Sequence, residues 1–228
     1  MQGAKSTIAH LLTSCRYGLL PPTCLLCGAG GADRLDLCEP CLESLPRAGP
    51  FALPPFAAVV CPWVYAYPID HCVQALKFQG ERAWARVFGA LLARARLGVG
   101  GVPPVALPLP RLVVPVPLHL RRLRERGYNQ SADLARFAAR ALALPLDAHA
   151  LERRRATEVQ SRLPAAARAA NVAGAFHAAR PLQGLRVALV DDVLTTGSTV
   201  AAAAAALVAA GAGGVELWVV ARSARASR

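Results

Sequence analysis

The chain has 228 residues, of which 54% are hydrophobic, and its mean hydropathy is +0.35. This composition excludes a wholly disordered protein, and the length suffices for one domain with a substantial core plus a small accessory module. The formal net charge is +12. A charge of this size favours an anionic partner or substrate, either nucleic acid or a polyphosphorylated metabolite, and does not choose between the two.

The apolar runs of the sequence are too short for a membrane span. The longest one, residues 201–210, falls well below the roughly 18 residues that a transmembrane helix requires. Near the N-terminus, Leu12-Thr-Ser-Cys15 has the form of a lipoprotein cleavage site, but the apolar stretch before it is short and contains His10. We therefore expect a cytoplasmic protein without membrane insertion.

Composition divides the chain into three predicted regions. Residues 1–60 form a Gly- and Pro-rich module with paired cysteines, residues 61–110 a middle segment and connector, and residues 111–228 the main domain. The middle segment is predicted to be helical from about residue 69 to 97, with an interruption near residue 80.

From residue 112 onward, short apolar runs alternate with helical patterns. Strands are predicted at 112–116, 186–190 and 215–221, and helices at 130–144 and 198–210. Strands that alternate with helices indicate an α/β domain with a mainly parallel sheet.

Two Cys-x-x-Cys pairs, ten residues apart, predict a small metal module. Each pair presents two thiolates, and together the pairs complete a tetrahedral site for structural zinc, as in a zinc ribbon; the residues are Cys24, Cys27, Cys38 and Cys41. Disulfides are the alternative, which a reducing cytosol disfavours. A closed four-thiolate site has no open position for catalysis, so its expected roles are holding the module together and presenting a surface to a partner. The other cysteines, Cys15, Cys61 and Cys72, are interpreted as small buried hydrophobic residues.

Two carboxylates and a hydroxyl-rich turn follow the strand predicted at 186–190. Asp191 and Asp192 come first, and then Thr195, Thr196, Gly197, Ser198 and Thr199. In open α/β sheets ligands bind at the carboxyl ends of strands, where a glycine turn and a helix N-terminus can surround a phosphate. An ordinary helix cap explains one of these hydroxyls, but not four together with two carboxylates. Neither a Walker loop nor a dinucleotide fingerprint is present in the sequence.

The segment 187–199 resembles the ribose-phosphate motif of type I phosphoribosyltransferases. Combined with the four-cysteine module, the chain resembles the ComF (competence protein F) family of bacterial phosphoribosyltransferase-like proteins over nearly its whole length. The other motifs that carry the resemblance are Leu76-Lys77-Phe78-x-Gly80, Val114-Pro-Val-Pro117, Arg126-Gly-Tyr-Asn-Gln130, and Leu151-x-Arg-x-Arg-x-Thr157 with Gln160, Leu163, Arg168 and Asn171. The implied fold is a type I phosphoribosyltransferase-like parallel sheet flanked by helices, with a small N-terminal zinc-ribbon module.

The resemblance also implies a substrate and a set of roles. Asp191 and Asp192 would hold the ribose hydroxyls of 5-phosphoribosyl-1-pyrophosphate, directly or through Mg²⁺, and the turn 195–199 would wrap its 5′-phosphate. Arg126-Gly127 matches the loop that contacts pyrophosphate, and residues 152–175 take the place of a closing hood. The implied reaction is transfer of the phosphoribosyl group to an unidentified acceptor, in the context of competence and DNA uptake.

These roles agree with the chemistry of substitution at the ribose anomeric carbon. That reaction passes through a state with positive charge on the ring and expels pyrophosphate. Carboxylates near the ribose stabilise the positive charge on the ring, and Mg²⁺ with arginines stabilises the negative charge on the departing pyrophosphate.

A second hypothesis is a nucleic-acid-binding competence accessory protein whose phosphoribosyl site is non-catalytic or regulatory. Single-stranded DNA or a protein of the competence machinery would be its partner. The net charge and the arginine clusters, at 121–126 and 153–155, are compatible with phosphate contacts of this kind. Lys77, one of only two lysines in the chain, is a further candidate without an assigned task.

Overall fold

The computed structural model describes residues 22–32, 35–100, 103–154 and 174–223. Residue contacts divide the chain into two compact units, Met1–Leu45 and Pro46–Arg228. The sequence-based division into 1–60, 61–110 and 111–228 stays a prediction. Within the described ranges, no helix is long and apolar enough to cross a membrane.

The larger unit contains a parallel sheet and a separate antiparallel pair of strands. In chain order the strands are β1 (Ala58–Val60), β2 (Trp63–Val64), β3 (Leu112–Pro115), β4 (Leu151–Arg153), β5 (Phe176–Ala178), β6 (Arg186–Leu194) and β7 (Gly214–Arg222). The main sheet has the order β1-β7-β6-β3, with β2 also beside β7, and all its pairs are parallel. β4 and β5 pair antiparallel.

Six α-helices and one π-helical turn accompany these strands in the described residues. They are α1 (Glu39–Glu43), α2 (Ile69–Gln74), which continues into the π-helical turn (Ala75–Gln79), α3 (Ala83–Arg96), α4 (Leu120–Arg126), α5 (Gln130–Ala141) and α6 (Ser198–Ala209). Only α1 belongs to the smaller unit.

Helices cover both faces of the main sheet. Val187 and Leu189 of β6 are fully buried in a core with α6, β4 and β5. Ala188 and Val190 alternate with them and face the opposite side, where α3 and α5 pack on the sheet and on each other. The β-branched and apolar residues of β6 and β7 are buried on both faces, as parallel strands require. The predicted α/β class with a parallel sheet is confirmed.

Two predicted element boundaries need correction. The strand predicted at 186–190 continues to Leu194, because β7 remains its neighbour as far as Arg222. The helix predicted at 130–144 ends at Ala141, and Ala143 has a φ of 52°, which no helix continues. The helical stretch predicted at 69–97 has the expected interruption near residue 80: Gly80 takes a φ of 74° and separates α2 and the π-helical turn from α3.

A buried ion pair joins α3 to the centre of the sheet. Arg96 and Glu216 are each 2% exposed, and two nitrogens of Arg96 donate to the Glu216 carboxylate at 2.7 and 3.0 Å. Arg96 also donates to the carbonyls of Leu107 and Pro108, so it fixes the connector before β3. The indole of Trp218 donates to the same carboxylate at 3.1 Å. Arg186 lies 3.3 Å from the same carboxylate, so Glu216 faces two guanidinium groups.

Replacing one member of this pair should be costly. Glu216→Gln removes the negative charge and leaves Arg96 buried without compensation, so we expect the free energy of unfolding to fall by about 3–5 kcal/mol. Glu152→Gln is the matched control, because Glu152 pairs with Arg154 in the open, and we expect a loss below about 1 kcal/mol. Urea unfolding at neutral pH measures both, and equal losses in the two variants would contradict the assignment.

Candidate functional site

The two predicted carboxylates lie in the carboxyl-terminal half of β6. β3 ends at Pro115, opposite Val190, whereas β6 continues alongside β7 to Leu194. Because side chains alternate along a strand, Asp192 points to the face that carries α3 and α5, and Asp191 points to the face that carries α6. The pair therefore reaches both sides of the sheet at the edge where β3 stops.

Asp192 is buried in a cage of nitrogen donors. The Lys77 ammonium lies 2.8 Å from its Oδ1, and the Gln130 side-chain amide donates to its Oδ2, also at 2.8 Å. The backbone N–H of Val193 donates to Oδ1 at 2.6 Å. The Asp192 side chain is only 6% exposed, so these bonds replace the water that it loses on folding.

Asp191 is half-buried and has a different environment. The Ser131 hydroxyl donates to its Oδ1 at 2.8 Å, and the backbone N–H of Asp192 donates to the same oxygen at 3.0 Å. Burial, and next the negative charge of Asp192, raise the pKa of Asp191 to about 7, against the opposing effects of Ser131 and Lys77. The two adjacent carboxylates are thus not equivalent.

The start of α5 delivers two of these donors. Asn129 caps the helix: its side-chain oxygen accepts from the backbone N–H of Ser131 at 3.0 Å, and its amide donates to the Val116 carbonyl at 3.1 Å. This side chain ties the loop after β3 to the first turn of α5. Gln130 and Ser131 follow the cap, so the positive end of the helix dipole lies beside the acidic pair.

A π-helical turn delivers Lys77. Such turns are rare and are frequently found at functional sites. The Tyr128 hydroxyl donates to the Leu76 carbonyl and so anchors the turn. Lys77 reaches Asp192 from this turn, while the next side chain, Phe78, is 74% exposed.

Arg126 joins the same network. Its guanidinium donates to the side-chain oxygen of Gln130, whose amide holds Asp192. The same guanidinium lies over the Phe78 ring, 5.1 Å from the ring centroid. Gly127 ends α4 with a φ of 80°, which turns the chain toward Asn129.

The hydroxyl turn at 195–199 leads from β6 into α6. Thr195 and Thr196 are exposed, and the hydroxyls of Thr196 and Ser198 lie 3.1 Å apart. Gly197 precedes α6 with a φ of 77°, and a Cβ there would meet side-chain carbons at 3.7 and 3.8 Å. Backbone conformation, rather than lack of space, is therefore what favours glycine at this position.

A second arginine approaches the acidic pair from β4. The Arg153 guanidinium lies 5.4 Å from the Phe176 ring centroid. Burial lowers its pKa, and the nearby charge of Arg122 lowers it further, whereas Asp191 acts in the opposite direction. The rest of the predicted hood, residues 155–173, lies outside the described residues, and with it Arg155, Thr157, Gln160, Leu163, Arg168 and Asn171.

The structure brings together more residues than the sequence analysis assigned. Asp191, Asp192 and Arg126 belong to one hydrogen-bonded network. Lys77 was a candidate without an assigned task, marked by its rarity and by its motif, and Gln130 was only part of a motif. Ser131 was missed, because a serine in the first turn of a helix has no distinctive pattern.

The predicted metal module forms in the smaller unit. The four sulfur atoms of Cys24, Cys27, Cys38 and Cys41 all lie within 4.8 Å of one another, and those of Cys27 and Cys38 are 3.6 Å apart. Sulfurs at about 2.3 Å from one tetrahedral ion would be roughly 3.8 Å apart, so this donor set fits zinc.

Local backbone structure builds this cluster. Gly28 has a φ of 78°, and its N–H donates to the Cys24 carbonyl at 2.9 Å, which closes the first turn. Cys38 caps α1 and Cys41 lies in its first turn. Burial alone would raise the pKa of Cys24, but backbone N–H groups, first that of Cys38, lower it to about 6. The side-chain bond to Cys38 raises the pKa of Cys41, so Cys24 forms a thiolate more readily than Cys41 does.

Two further cysteines are inert. Cys61 and Cys72 are 7% and 1% exposed, and burial raises the pKa of each thiol to about 12. Their interpretation as small buried residues is confirmed, and Cys15 lies outside the described residues.

Comparison with known proteins agrees with both parts of the chain. Residues 17–52 match the double zinc ribbon domain family. The chain is 36% identical over 212 residues to DNA utilization protein YhgH of Salmonella typhi, and the aligned region covers 88% of this chain and 90% of that protein. It is 31% identical over 205 residues to Competence protein F of Haemophilus influenzae, and the aligned region covers 89% of this chain and 85% of that protein. The chain belongs to the competence protein F family.

Among solved structures, the chain is similar to glutamine phosphoribosylpyrophosphate amidotransferase from B. subtilis complexed with ADP and GMP. The TM-score is 0.40 and the identity 24%, over 59% of this chain and 25% of that one. Membership of the competence protein F family, the parallel sheet flanked by helices and the zinc-ribbon module confirm the predicted fold class.

Metal analysis tests the four-cysteine module. The full chain purified with zinc should contain about one zinc ion, and Cys24→Ser should bring this toward zero, because a three-thiolate set no longer closes the tetrahedron. Cys15→Ser removes a cysteine outside the two pairs and should leave the content unchanged. Mass spectrometry of dissolved metal gives both numbers, and unchanged zinc in Cys24→Ser would contradict the assignment.

The raised pKa of Asp191 predicts a pH-dependent stability. Between its ordinary pKa of 3.8 and about 7, Asp191 is ionised in the unfolded chain but still protonated in the folded one. The contribution of Asp191 to the free energy of unfolding is therefore largest below this window, declines as the pH rises through it, and levels off above pH 7. Relative to Asp191→Asn, the wild type should become progressively less stable from pH 5 to 7 in urea unfolding. A difference that does not vary with pH would show that the carboxyl titrates normally.

Proposed function

We propose that the protein binds 5-phosphoribosyl-1-pyrophosphate and transfers its phosphoribosyl group to an acceptor. The observation that carries the proposal is the buried, donor-caged acidic pair, followed directly in the chain by a hydroxyl turn that opens α6. A ribose phosphate presents hydroxyls that donate and a phosphate that accepts, in the same order along the molecule.

The ribose is proposed to lie against Asp191 and Asp192. A carboxylate offers about four acceptor positions, and Ser131 and the Asp192 N–H use two of those on Asp191. The 5′-phosphate is proposed to sit in the turn at 195–199. There, hydroxyls, backbone N–H groups and the start of a 12-residue helix are available to an anion.

The leaving pyrophosphate is proposed to meet arginines. Arg126 is held near the acidic pair through Gln130, Arg153 of β4 interacts with the charge of Asp191, and Arg122 of α4 lies near Arg153. Guanidinium groups are always charged and form paired hydrogen bonds to phosphate oxygens. Such groups stabilise the charge that develops on pyrophosphate as it departs, while Asp191 and Asp192 stabilise the positive charge on the ring.

Magnesium does not fit on Asp192, because the Lys77 ammonium and the Gln130 amide engage its two oxygens. Bound together with the pyrophosphate, the ion would supply charge neutralisation there. In the smaller unit, the four cysteines are proposed to hold a structural zinc ion.

Calorimetric titration tests the binding step. Asp191→Ala removes an acceptor of ribose hydroxyls, and we expect the affinity for phosphoribosyl pyrophosphate with Mg²⁺ to fall about tenfold to a hundredfold. This range corresponds to the roughly 1.5–3 kcal/mol of a hydrogen bond to a charged group. Asp147→Ala is the matched control: it removes a carboxylate that pairs with Arg180 outside the site, and it should bind as the wild type does. No binding by the wild type, or equal binding by both variants, would refute the proposal.

One observation favours a second candidate, nucleic-acid binding with a regulatory phosphoribosyl site. α4 has no buried residue and exposes several arginines, and relatives of this chain are named for DNA utilization and competence. Under this alternative, binding of a single-stranded oligonucleotide would weaken steeply with salt and survive Asp191→Ala. The phosphoribosyl proposal ranks first, because a basic helix alone does not account for the caged acidic pair.

A further inference from the structure

We propose that Lys77 is a built-in counter-ion that reserves the acidic pair for sugar hydroxyls and keeps divalent metal ions off it. The inference rests on the proposed function, since it names what the acidic pair of that site takes. It separates two roles that adjacent carboxylates in a phosphate-binding enzyme can have, ligation of a metal and recognition of a diol.

Both side-chain oxygens of Asp192 already have a nitrogen partner. Its Oδ1 is 2.8 Å from the Lys77 ammonium and its Oδ2 accepts from Gln130 at 2.8 Å. Magnesium and manganese ions bind carboxylate oxygens at about 2.0–2.2 Å. An ion that used Asp192 would therefore have to share the space with an ammonium, and two cations so close repel each other strongly at a site that is 6% exposed.

The backbone around Lys77 is held in place by hydrogen bonds. The π-helical turn that carries it is anchored by the Tyr128 hydroxyl, which donates to the Leu76 carbonyl. Just beyond the turn, Arg82 at the start of α3 binds both oxygens of Asp133 in α5, at 2.7 and 2.8 Å. The chain is thus fastened on both sides of Lys77, at Leu76 to the loop that precedes α5 and at Arg82 to α5 itself, and the Lys77 side chain is 21% exposed.

Lys77 also sets the net charge that the acidic pair presents to a ligand. When both carboxylates are ionised, the pair and one ammonium carry a single net negative charge, whereas without Lys77 the pair would carry two. Because the pKa of Asp191 is raised to about 7, its protonation removes one further negative charge. A phosphorylated ligand is repelled less by the single charge, and hydroxyl donors still find acceptor positions on Asp191. The arrangement thus favours an anionic sugar over a free cation.

Manganese binding, followed by electron paramagnetic resonance on the zinc-loaded full chain, tests this inference. Lys77→Met should create a manganese site at least about tenfold tighter than any in the wild type, because the bare carboxylates then attract the ion. The added site should vanish in Lys77→Met/Asp192→Asn. Lys77→Arg keeps the charge and should bind manganese as weakly as the wild type does.

Arg140→Met serves as the matched control, since it removes one exposed positive charge at the far end of α5 and should not tighten manganese binding. If Lys77→Met does not fold by circular dichroism, Lys77→Gln tests the same loss of charge with a side chain that still donates to Asp192. Unchanged manganese affinity in the folded variant would overturn the inference. So would a wild-type manganese site that Asp192→Asn abolishes. Failure of the wild type to bind phosphoribosyl pyrophosphate refutes the proposed function instead, and it leaves the manganese result readable.

Discussion

Two adjacent carboxylates in one strand constrain the whole of the larger unit, because consecutive side chains point to opposite faces of a sheet. Both carboxylates nevertheless take partners from α5: Gln130 donates to Asp192, and Ser131, at the edge of the sheet, donates to Asp191. Lys77 adds a positive charge beside Asp192. These partners come from two different helical segments, so the acidic pair fixes how the π-helical turn and α5 meet β6.

The two units solve the problem of stability in different ways. In the larger one, β6 and β7 are buried along most of their length, and the cost of placing Glu216 there is offset by Arg96. In the smaller one, α1 spans only five residues and buries none of them, although Leu35, Leu37 and Leu45 elsewhere in this unit are buried. Four thiolates gathered within 4.8 Å would supplement this small core once they bind a metal ion.

The sequence predicted those parts of the site whose residues are neighbours in the chain. The cysteine pairs, the acidic pair and the hydroxyl turn each lie within a few residues, so spacing alone reveals their chemistry. Lys77 and Ser131 meet Asp192 and Asp191 only through folding. A motif and the rarity of lysine mark Lys77 without revealing its partner, and no local pattern marks Ser131. The strand predicted at 186–190 was too short because carboxylates usually end a buried strand, whereas here neighbouring donors stabilise them. β4 and β5, of three residues each, are too brief for any periodicity to show.

A lysine beside an aspartate is usually interpreted as a structural ion pair, and the network around Lys77 favours a more specific interpretation. A structural ion pair does not require a rare backbone conformation. Lys77 nevertheless comes from a π-helical turn, which is held in place by the Tyr128 hydroxyl and, just beyond the turn, by the Arg82–Asp133 pair. The same turn exposes Phe78, against which Arg126 packs. One short segment therefore positions both the cation on the acidic pair and the arginine proposed to meet pyrophosphate. Any change of the turn should thus affect the sugar end and the pyrophosphate end of the site together.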